Sequence, residues 1–347
     1  MTTSLALART SRLSDGRQLG RPAIGLIALA TLLLALLLFA VTPLAGRAGF
    51  VVFTVALFTV ALAAVSFAVE GRRRAADRLL GLAVRLAVLA ALLPLVLSYT
   101  IDRGISKINP SFLMHSMKGV GPFDTTGGLY HAAIGTLEQV VLTMLIAVPL
   151  GLLVAVYLAE YGRGTFSTTV RFLVDVMTGI PSIVAGLFIY TLVVINSGPS
   201  GLAAALALAI LMLPVVVRSA EEMLKLVPDA LREASYALGV PRWKTILRIV
   251  LPTASAGITT GVMLAVARVT GETAPLLLTS QTFDSINTNP FSGRQSALSS
   301  YIYDQATSAG PGYIPRAWGA ALVLIAIVLV LYVGARLLTR RNSLTRG

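Results

Sequence analysis

The sequence contains no cysteine and little charge: 12% of its 347 residues are Asp, Glu, Lys or Arg, and acidic residues number only 15. Without cysteine, disulfides, thiolate metal sites and thiol catalysis are excluded. The two histidines, His115 and His131, have no acidic cluster at metal-ligand spacing, so we expect ordinary loop residues rather than metal ligands. So little charge also excludes an ordinary soluble domain.

Hydrophobic residues are what the chain has in abundance, at 56%, with a mean hydropathy of +0.83. A membrane-spanning helix needs about 20 predominantly apolar residues. The stretches that qualify are about 22–42, 48–69, 82–99, 132–158, 172–195, 202–218, 253–275 and 317–338. The first is longer than the apolar core of a signal peptide, so we expect it to be retained. The sequence therefore predicts an all-α polytopic membrane protein with about eight transmembrane helices.

The basic residues indicate the orientation of these helices. The formal net charge is +13. With the N-terminus in the cytoplasm, 21 of the 28 Lys and Arg fall inside and six outside, Arg316 among them, while Arg268 alone lies within a span. Positive charge concentrates on the cytoplasmic side of membrane proteins. The distribution predicts a multi-pass cell-membrane protein with both termini in the cytoplasm, and it explains the basic charge without nucleic acid.

The polar content changes along the chain and suggests its organisation. Residues 1–100 hold the N-terminal cytoplasmic tail and three simple apolar helices, and 101–131 form an external loop. From 132 to 340 the spans carry Pro, Gly, Thr and occasional charge, as expected where a transport pathway is built. This core includes a cytoplasmic loop at 219–252, and 341–347 form a cytoplasmic tail.

The cytoplasmic loop 219–252 is predicted to form two short helices joined by a tight turn. Pro228 suits the first position of a helix, Gly239 suits the stop after it, and Pro241 suits the start of the second. Pro252 is then expected to restart the chain as a spanning helix. The first helix has a narrow face of small or apolar residues, made by Leu231, Ala234, Ser235 and Leu238.

Three hypotheses fit this helix pair. The helices are suited to lie on the lipid bilayer with their basic residues toward anionic headgroups. They also match the outline of a helix-turn-helix, although Pro252 ties the second helix to a span and leaves it no freedom to enter a DNA groove. Finally, they are suited to dock a cytoplasmic partner that moves the spans.

Arg268 and Glu272 are the ionisable pair of the seventh predicted span. Four residues apart, they are expected on one helical face, where they either neutralise each other or serve a function. A guanidinium matches the oxygens of an oxyanion bidentately, and a carboxylate accepts a hydrogen bond from protonated phosphate but not from sulfate. Thr270 and Thr273 are candidate hydroxyl donors to a passing anion. No nucleophile, base and orienting group come together, so the sequence favours transport over enzymatic catalysis.

The loop also carries a family signature. In EASYALGVPRWKTILRIVLP, residues 233–252, Glu-Ala-Ser is followed after three residues by Gly and after nine more by Ile-x-Leu-Pro. This segment resembles the EAA signature of permease subunits of ATP-binding-cassette importers, with Ser where a second Ala is usual. The resemblance implies a coupling helix in a groove of the ATPase, contacted through Glu233, Ala234, Ser235 and Gly239. No G-x-x-x-x-G-K-[ST] phosphate loop is present, so ATP hydrolysis is expected in a separate subunit.

The stretch ARVTGETAPLLLT, residues 267–279, narrows the resemblance to phosphate importer permeases of the PstA type, over about residues 130–340. The family implies a type I importer fold with six spans, so eight imply an N-terminal extension of two helices. It also implies a homologous second permease, two ATPase subunits, an external phosphate-binding protein and no cofactor on this chain. The alternatives are a permease for sulfate or molybdate and, from another class, a membrane-anchored regulator using the cytoplasmic loop.

Overall fold

The described part of the protein is a chain of helices. A computed structural model describes residues 93–121 and 123–344, with five isolated positions nearer the N-terminus. The chain divides into two units, Met1–Tyr99 and Thr100–Gly347. The first two predicted spans and most of the third lie outside the described residues. Every regular element in the described ranges is helical, which confirms the all-α class.

The helices are named here in chain order. They are α1 (Leu93–Gly104), α2 (Pro110–Met114), α3 (Tyr130–Val156), α4 (Thr165–Thr178), α5 (Ser182–Ile189), α6 (Ile195–Ser197), α7 (Gly201–Lys225), α8 (Asp229–Ala237), α9 (Arg242–Thr245), α10 (Leu251–Thr270), α11 (Ala274–Thr279), α12 (Leu298–Thr307) and α13 (Tyr313–Leu344). Three π-helical turns, Tyr157–Tyr161, Tyr190–Val194 and Ile246–Val250, continue α3, α5 and α9.

Four helical stretches in the described ranges are long and apolar enough to cross a membrane. They are Tyr130–Tyr161, Gly201–Lys225, Arg242–Thr270 and Tyr313–Gly334. A fifth candidate is the pair formed by Thr165–Thr178 and Ser182–Ser197, which is bent by 102°. The predicted spans near 132–158, 202–218, 253–275 and 317–338 therefore each have a counterpart, with boundaries that differ by a few to about a dozen residues.

The fifth predicted span, 172–195, is wrong as a continuous helix. The helix α4 ends at Thr178, and α5 begins only at Ser182. Pro181 is the reason, because its ring disfavours helical backbone at the residue before it and it lacks an N–H group for a helical hydrogen bond. Apolar residues lie on both sides of the bend, so hydropathy alone predicts one uninterrupted span.

The expectation that Pro252 restarts the chain is also wrong. Helices α9 and α10 form one continuous helix, Arg242–Thr270, joined by the π-helical turn Ile246–Val250. Pro252 lies at the start of α10, where the π-helical turn directly before it accommodates the proline within the longer helix. The second helix of the predicted cytoplasmic pair is therefore one end of a candidate span and no separate recognition helix.

Helix α7 lies at the centre of the described unit and packs against α3, α5 and α10. Its alanine-rich sequence allows neighbouring helices to approach closely, as small residues do in membrane bundles. On α3, a methyl group added at Gly151 would lie 2.7 Å from Cγ1 of Val216 on α7. Leu208, Met212 and Val216 are almost completely buried at this crossing. Gly151 thus allows α3 and α7 to pack closely.

Candidate functional site

The predicted Arg268 and Glu272 region is a break between two helices. Helix α10 ends at Thr270, and the amides of Gly271 and Glu272 donate to the carbonyls of Arg268 and Val269 at 3.2 and 3.1 Å. Helix α11 starts at Ala274. Glu272 therefore lies outside the helix, and the expectation that it shares a helical face with Arg268 is wrong. Gly271, a poor helix former, and Pro275, which lacks the N–H group that would bond to the Gly271 carbonyl, end the helix earlier than hydropathy predicts.

The Arg268 side chain is exposed and has no hydrogen bond or ion pair to any other described residue. In particular, no ion pair joins it to Glu272 within the described ranges. Of the two alternatives drawn from the sequence, mutual neutralisation is therefore not what the isolated chain adopts. A charged group in an apolar span without a partner among the described residues suits one supplied from outside them, such as a bound anion or a second polypeptide.

The exposed face of α10 that carries Arg268 is unlike a lipid-facing surface. Thr253, Thr260, Leu264 and Arg268 recur along it at helical spacing, and Leu264, 66% exposed, is its one large apolar side chain. The hydroxyls of Thr253 and Thr260 donate to the carbonyls four residues earlier, at 2.6 and 2.9 Å. The exposed face of α13 instead carries Ile325, Leu329, Val330 and Val333. The face of α10 suits an aqueous pathway or a second polypeptide.

Thr253 and Thr260 were not predicted from the sequence as site residues. The signal that could have found Thr260 is its spacing, since it precedes Arg268 by eight residues and so lies on the same helical face. Thr270, which was singled out, is only 3% exposed, and its hydroxyl donates to the Val266 carbonyl at 2.7 Å. Thr273 is half-buried and directly precedes α11. Hydroxyl donation by Thr270 and Thr273 to an anion stays a prediction.

Contacts from two other helices hold the break between α10 and α11 in place. The hydroxyl of Ser299 on α12 donates to the Glu272 carbonyl at 2.8 Å. On α5, a methyl group added at Gly186 would lie 2.6 Å from Cα of Pro275 on α11. Because no side chain fits between α5 and α11 at Gly186, this glycine sets the distance between the two helices.

The cytoplasmic segment forms the predicted helix and turn. Helix α8 begins at Asp229 with Pro228 directly before it, one residue later than predicted. The predicted stop at Gly239 is confirmed: its φ is +73°, and its amide donates to the Tyr236 carbonyl at 2.9 Å. The next amide, of Val240, donates to the Ser235 carbonyl at 3.2 Å. This pair of bonds closes the end of α8 and requires a left-handed residue, which favours glycine.

The predicted ATPase-contact residues do not all face outward. Glu233, Ala234 and Gly239 are exposed, as is Leu238 at 83%. Ser235, in contrast, is 3% exposed, and its hydroxyl lies 2.8 Å from the hydroxyl of Thr245 on α9. Ser235 therefore joins the two cytoplasmic helices, while its neighbours present the surface.

A polar cavity of about 490 Å³ lies between α8 and the end of α3. It is lined by charged groups, among them Glu160, Arg163, Lys225, Arg232, Glu233 and Arg242. The hydrogen bond from Arg232 to Glu160 raises the pKa of this arginine further above its ordinary value, so it stays charged. This pair was not predicted from the sequence, because it joins positions 72 residues apart.

The two histidines lie apart from this site. His131 belongs to the first turn of α3 and is buried edge-on against the Tyr301 ring, with ring centroids 5.5 Å apart. The predicted external loop 101–131 therefore ends slightly earlier, before Tyr130. His115 follows α2, and its Nδ1 lies 2.8 Å from the Ser111 carbonyl. Across the described ranges, no group of three or more His, Asp or Glu is placed to hold a metal ion.

Comparisons with known proteins agree with this architecture. The family model described as "Binding-protein-dependent transport system inner membrane component" matches residues 147–344. The phosphate transport system permease protein PstA 1 of Mycobacterium tuberculosis is 50% identical, over 73% of this chain and 85% of its own. PstA of Mycobacterium leprae is 48% identical over 74% and 86%, and PstA of Pasteurella multocida is 42% identical over 72% and 88%.

A solved structure shares the fold. A chain of a bacterial alginate ABC transporter, in complex with its alginate pentasaccharide-bound periplasmic protein, superposes with a TM-score of 0.53 at 17% identity. The match covers 76% of this chain and 93% of that one. The family model covers more than half of the chain, and the relatives are matched over most of their length. This chain therefore belongs to the family of binding-protein-dependent transport system inner membrane components.

Proposed function

We propose that this chain is the permease subunit of an ATP-driven importer of inorganic phosphate. The observation that carries the proposal is Arg268: an exposed guanidinium with no partner among the residues that the structure describes, on a small and polar helix face, next to a break in the helix. The names of the relatives at 40–50% identity supply the substrate.

The chemistry of the break fits a phosphate ion. The fork of donors on Arg268 matches two phosphate oxygens at once and stays charged at every relevant pH. The Glu272 carboxylate, two residues beyond the end of α10, accepts a hydrogen bond from a protonated phosphate oxygen. Sulfate carries no proton at neutral pH, so the same carboxylate repels it. The pair thereby both binds an oxyanion and selects phosphate.

The partners follow from the two exposed surfaces. A homologous second permease covers the α10 face and completes the pathway in the cell membrane. Two ATPase subunits dock on α8 through Glu233, Ala234 and the turn at Gly239, and they supply ATP hydrolysis because the sequence of this chain has no G-x-x-x-x-G-K-[ST] phosphate loop. An external phosphate-binding protein delivers the anion to the opposite side. The concentration of Lys and Arg in the predicted cytoplasmic segments supports an orientation with both termini of this chain in the cytoplasm.

Uptake of labelled phosphate into proteoliposomes holding the assembled complex tests the proposal. We expect Arg268→Gln to lower binding-protein-dependent uptake about tenfold or more, since a hydrogen bond to a charged group contributes about 1.5–3 kcal/mol. The matched control is Arg248→Gln, which removes an exposed arginine near the cytoplasmic end of the same helix and should leave uptake unchanged. Equal uptake by wild type and Arg268→Gln contradicts the site.

Competition with sulfate tests the role of Glu272. In wild type, excess sulfate should leave phosphate uptake unchanged. Glu272→Gln removes the charge that repels sulfate and keeps a similar shape, so we expect sulfate to compete. Unaltered selectivity in this variant rejects the role of the carboxylate, and sulfate uptake by wild type corrects the substrate.

A further inference from the structure

The cytoplasmic end of α3 is contacted by arginines from three different helices. Arg171 on α4 donates to the Leu158 carbonyl at 2.8 Å, and Arg242 on α9 donates to the Glu160 carbonyl. Arg232 on α8 donates to the Glu160 carboxylate through Nε at 3.1 Å and Nη2 at 2.7 Å. The last carbonyls of a helix lack partners in that helix and carry partial negative charge, so they attract arginine donors.

The ion pair between Glu160 and Arg232 is the most buried part of this cluster. The side chains are only 4% and 14% exposed. Arg232 also donates to the carbonyls of Leu224 and Val227, at the end of α7, at 3.0 and 2.5 Å. One guanidinium therefore joins α8 to both α3 and α7, and little of this side chain is exposed to solvent.

A second buried carboxylate extends the connections. Glu221 on α7 accepts from Arg171 at 2.8 Å and from Lys225 at 2.6 Å. Since Arg171 also bonds the Leu158 carbonyl, α4 is tied to α3 and α7 by one side chain. Removing one partner of a buried ion pair leaves the other charge uncompensated, which is strongly unfavourable. The helices at this end are thus expected to move as one body.

We propose that Glu160 and Arg232 are positioning residues that make α3 and α7 move with α8 when the ATPase changes shape. On sequence alone, motion of the cytoplasmic segment reaches the pathway only along the chain, through α9 and α10. The ion pair between Glu160 and Arg232 adds a second route across space, from α8 to the end of α3. This ion pair is called the joint below. This inference rests on the proposed function, because it assigns the source of motion to a docked ATPase.

The number of phosphate ions taken up per ATP hydrolysed tests the joint. We expect Arg232→Gln and Glu160→Gln to copurify with the ATPase and hydrolyse ATP, while this ratio falls about tenfold, within the usual range of coupling between sites. Controls are Arg248→Gln and Glu222→Gln, which change exposed residues of the same types. If the two residues only stabilise the fold, the variants should yield less assembled complex. The ratio should then be unchanged, because it is measured per assembled complex. An unchanged ratio in both variants overturns the proposal.

A distance measurement reports the joint directly and remains informative if one variant fails to assemble. The chain has no cysteine, so Ala237→Cys on α8 and Leu153→Cys on α3 can be spin-labelled selectively in a complex with cysteine-free partners. Both positions are exposed. In the otherwise unchanged chain, the distance between labels should be the same with and without trapped ATP. In Glu160→Gln it should change when ATP binds. A distance that changes equally in both, or in neither, overturns the joint.

The two proposals fail in different ways. A wild-type complex that takes up no phosphate contradicts the proposed function. A wild-type complex that takes up phosphate, with variants of unchanged ratio, contradicts only the joint. Arg232→Lys adds a graded test: it keeps the charge but loses the fork that reaches Glu160 and two carbonyls together. We expect its ratio to fall between those of wild type and Arg232→Gln, and a ratio equal to that of wild type counts against the fork.

Discussion

Gly186→Ala is expected to disturb the break beside Arg268 from a distance. The added methyl would lie 2.6 Å from Cα of Pro275 and 3.1 Å from its Cβ, whereas ordinary contacts are 3.4–4 Å. Helices α5 and α11 must therefore separate by about 1 Å. Overpacking of this kind costs about 1–3 kcal/mol, and the gain in helix propensity from Gly to Ala returns at most ~1 kcal/mol. We expect a net destabilisation of up to about 2 kcal/mol.

The assay has two readouts, thermal unfolding of the detergent-solubilised chain and phosphate uptake by the assembled complex. Because a ~1 Å misplacement at a working site costs up to ~100-fold, we expect uptake to fall about tenfold. The control is Gly334→Ala on α13, where the added methyl meets no atom within 4 Å. It should raise stability slightly and leave uptake unchanged. Wild-type stability and uptake in Gly186→Ala would refute the role of this glycine.

Three further predictions concern Gly239, Arg316 and Asp284. At Gly239, where φ is +73°, replacement by Ala should destabilise the end of α8 by about 1–2 kcal/mol, and replacement by Asn should cost less. The amount of ATPase that copurifies should therefore decrease in the order Gly, Asn, Ala. The control is Gly179→Ala, at negative φ with no atom closer than 3.5 Å, which should copurify with the ATPase as wild type does. Arg316→Met should lower stability by about 2–4 kcal/mol, since the side chain is fully buried and donates to Gln305, Thr126 and Asp124. The control is Arg294→Met, at an exposed position. Equal melting temperatures of the two variants contradict the prediction. Partial burial and then the Asp304 carboxylate raise the pKa of Asp284, so the folded state holds this proton more tightly than the unfolded state. Stability should therefore fall as pH rises from the ordinary Asp value through the raised one, and a melting-temperature series should show this slope flatter in Asp284→Asn.

The features predicted correctly from sequence are those set by neighbouring residues. Apolar runs indicate the spans, because each must satisfy its backbone hydrogen bonds as a helix in lipid. The stop at Gly239 follows from one residue that tolerates left-handed backbone. The cause of the end of α10 is equally local, since Gly271 and Pro275 are both close to it in the sequence. It was missed because the apolar composition of the whole stretch outweighed these two residues.

Features that depend on contacts between residues far apart in the sequence could not be predicted from it. Arg316 was counted among the external basic residues, yet tertiary packing buries it completely beneath the carbonyls of the external loop. Glu160 and Arg232 lie 72 residues apart and show no pattern that links them. Ser235 matches the family signature, but only the packing of α8 on α9 shows that its side chain faces inward.

The continuous helix Arg242–Thr270 acts as a lever. Arg268 lies about 39 Å along its axis from Arg242, at ~1.5 Å per residue. Tilting the helix by about 5° about its Arg242 end displaces Arg268 by about 3 Å, which is the length of a hydrogen bond. Under the proposed function, a movement that small is enough to detach the guanidinium from a bound phosphate. Release then needs no change in the proposed binding residues themselves, only a change in the angle at which one helix stands.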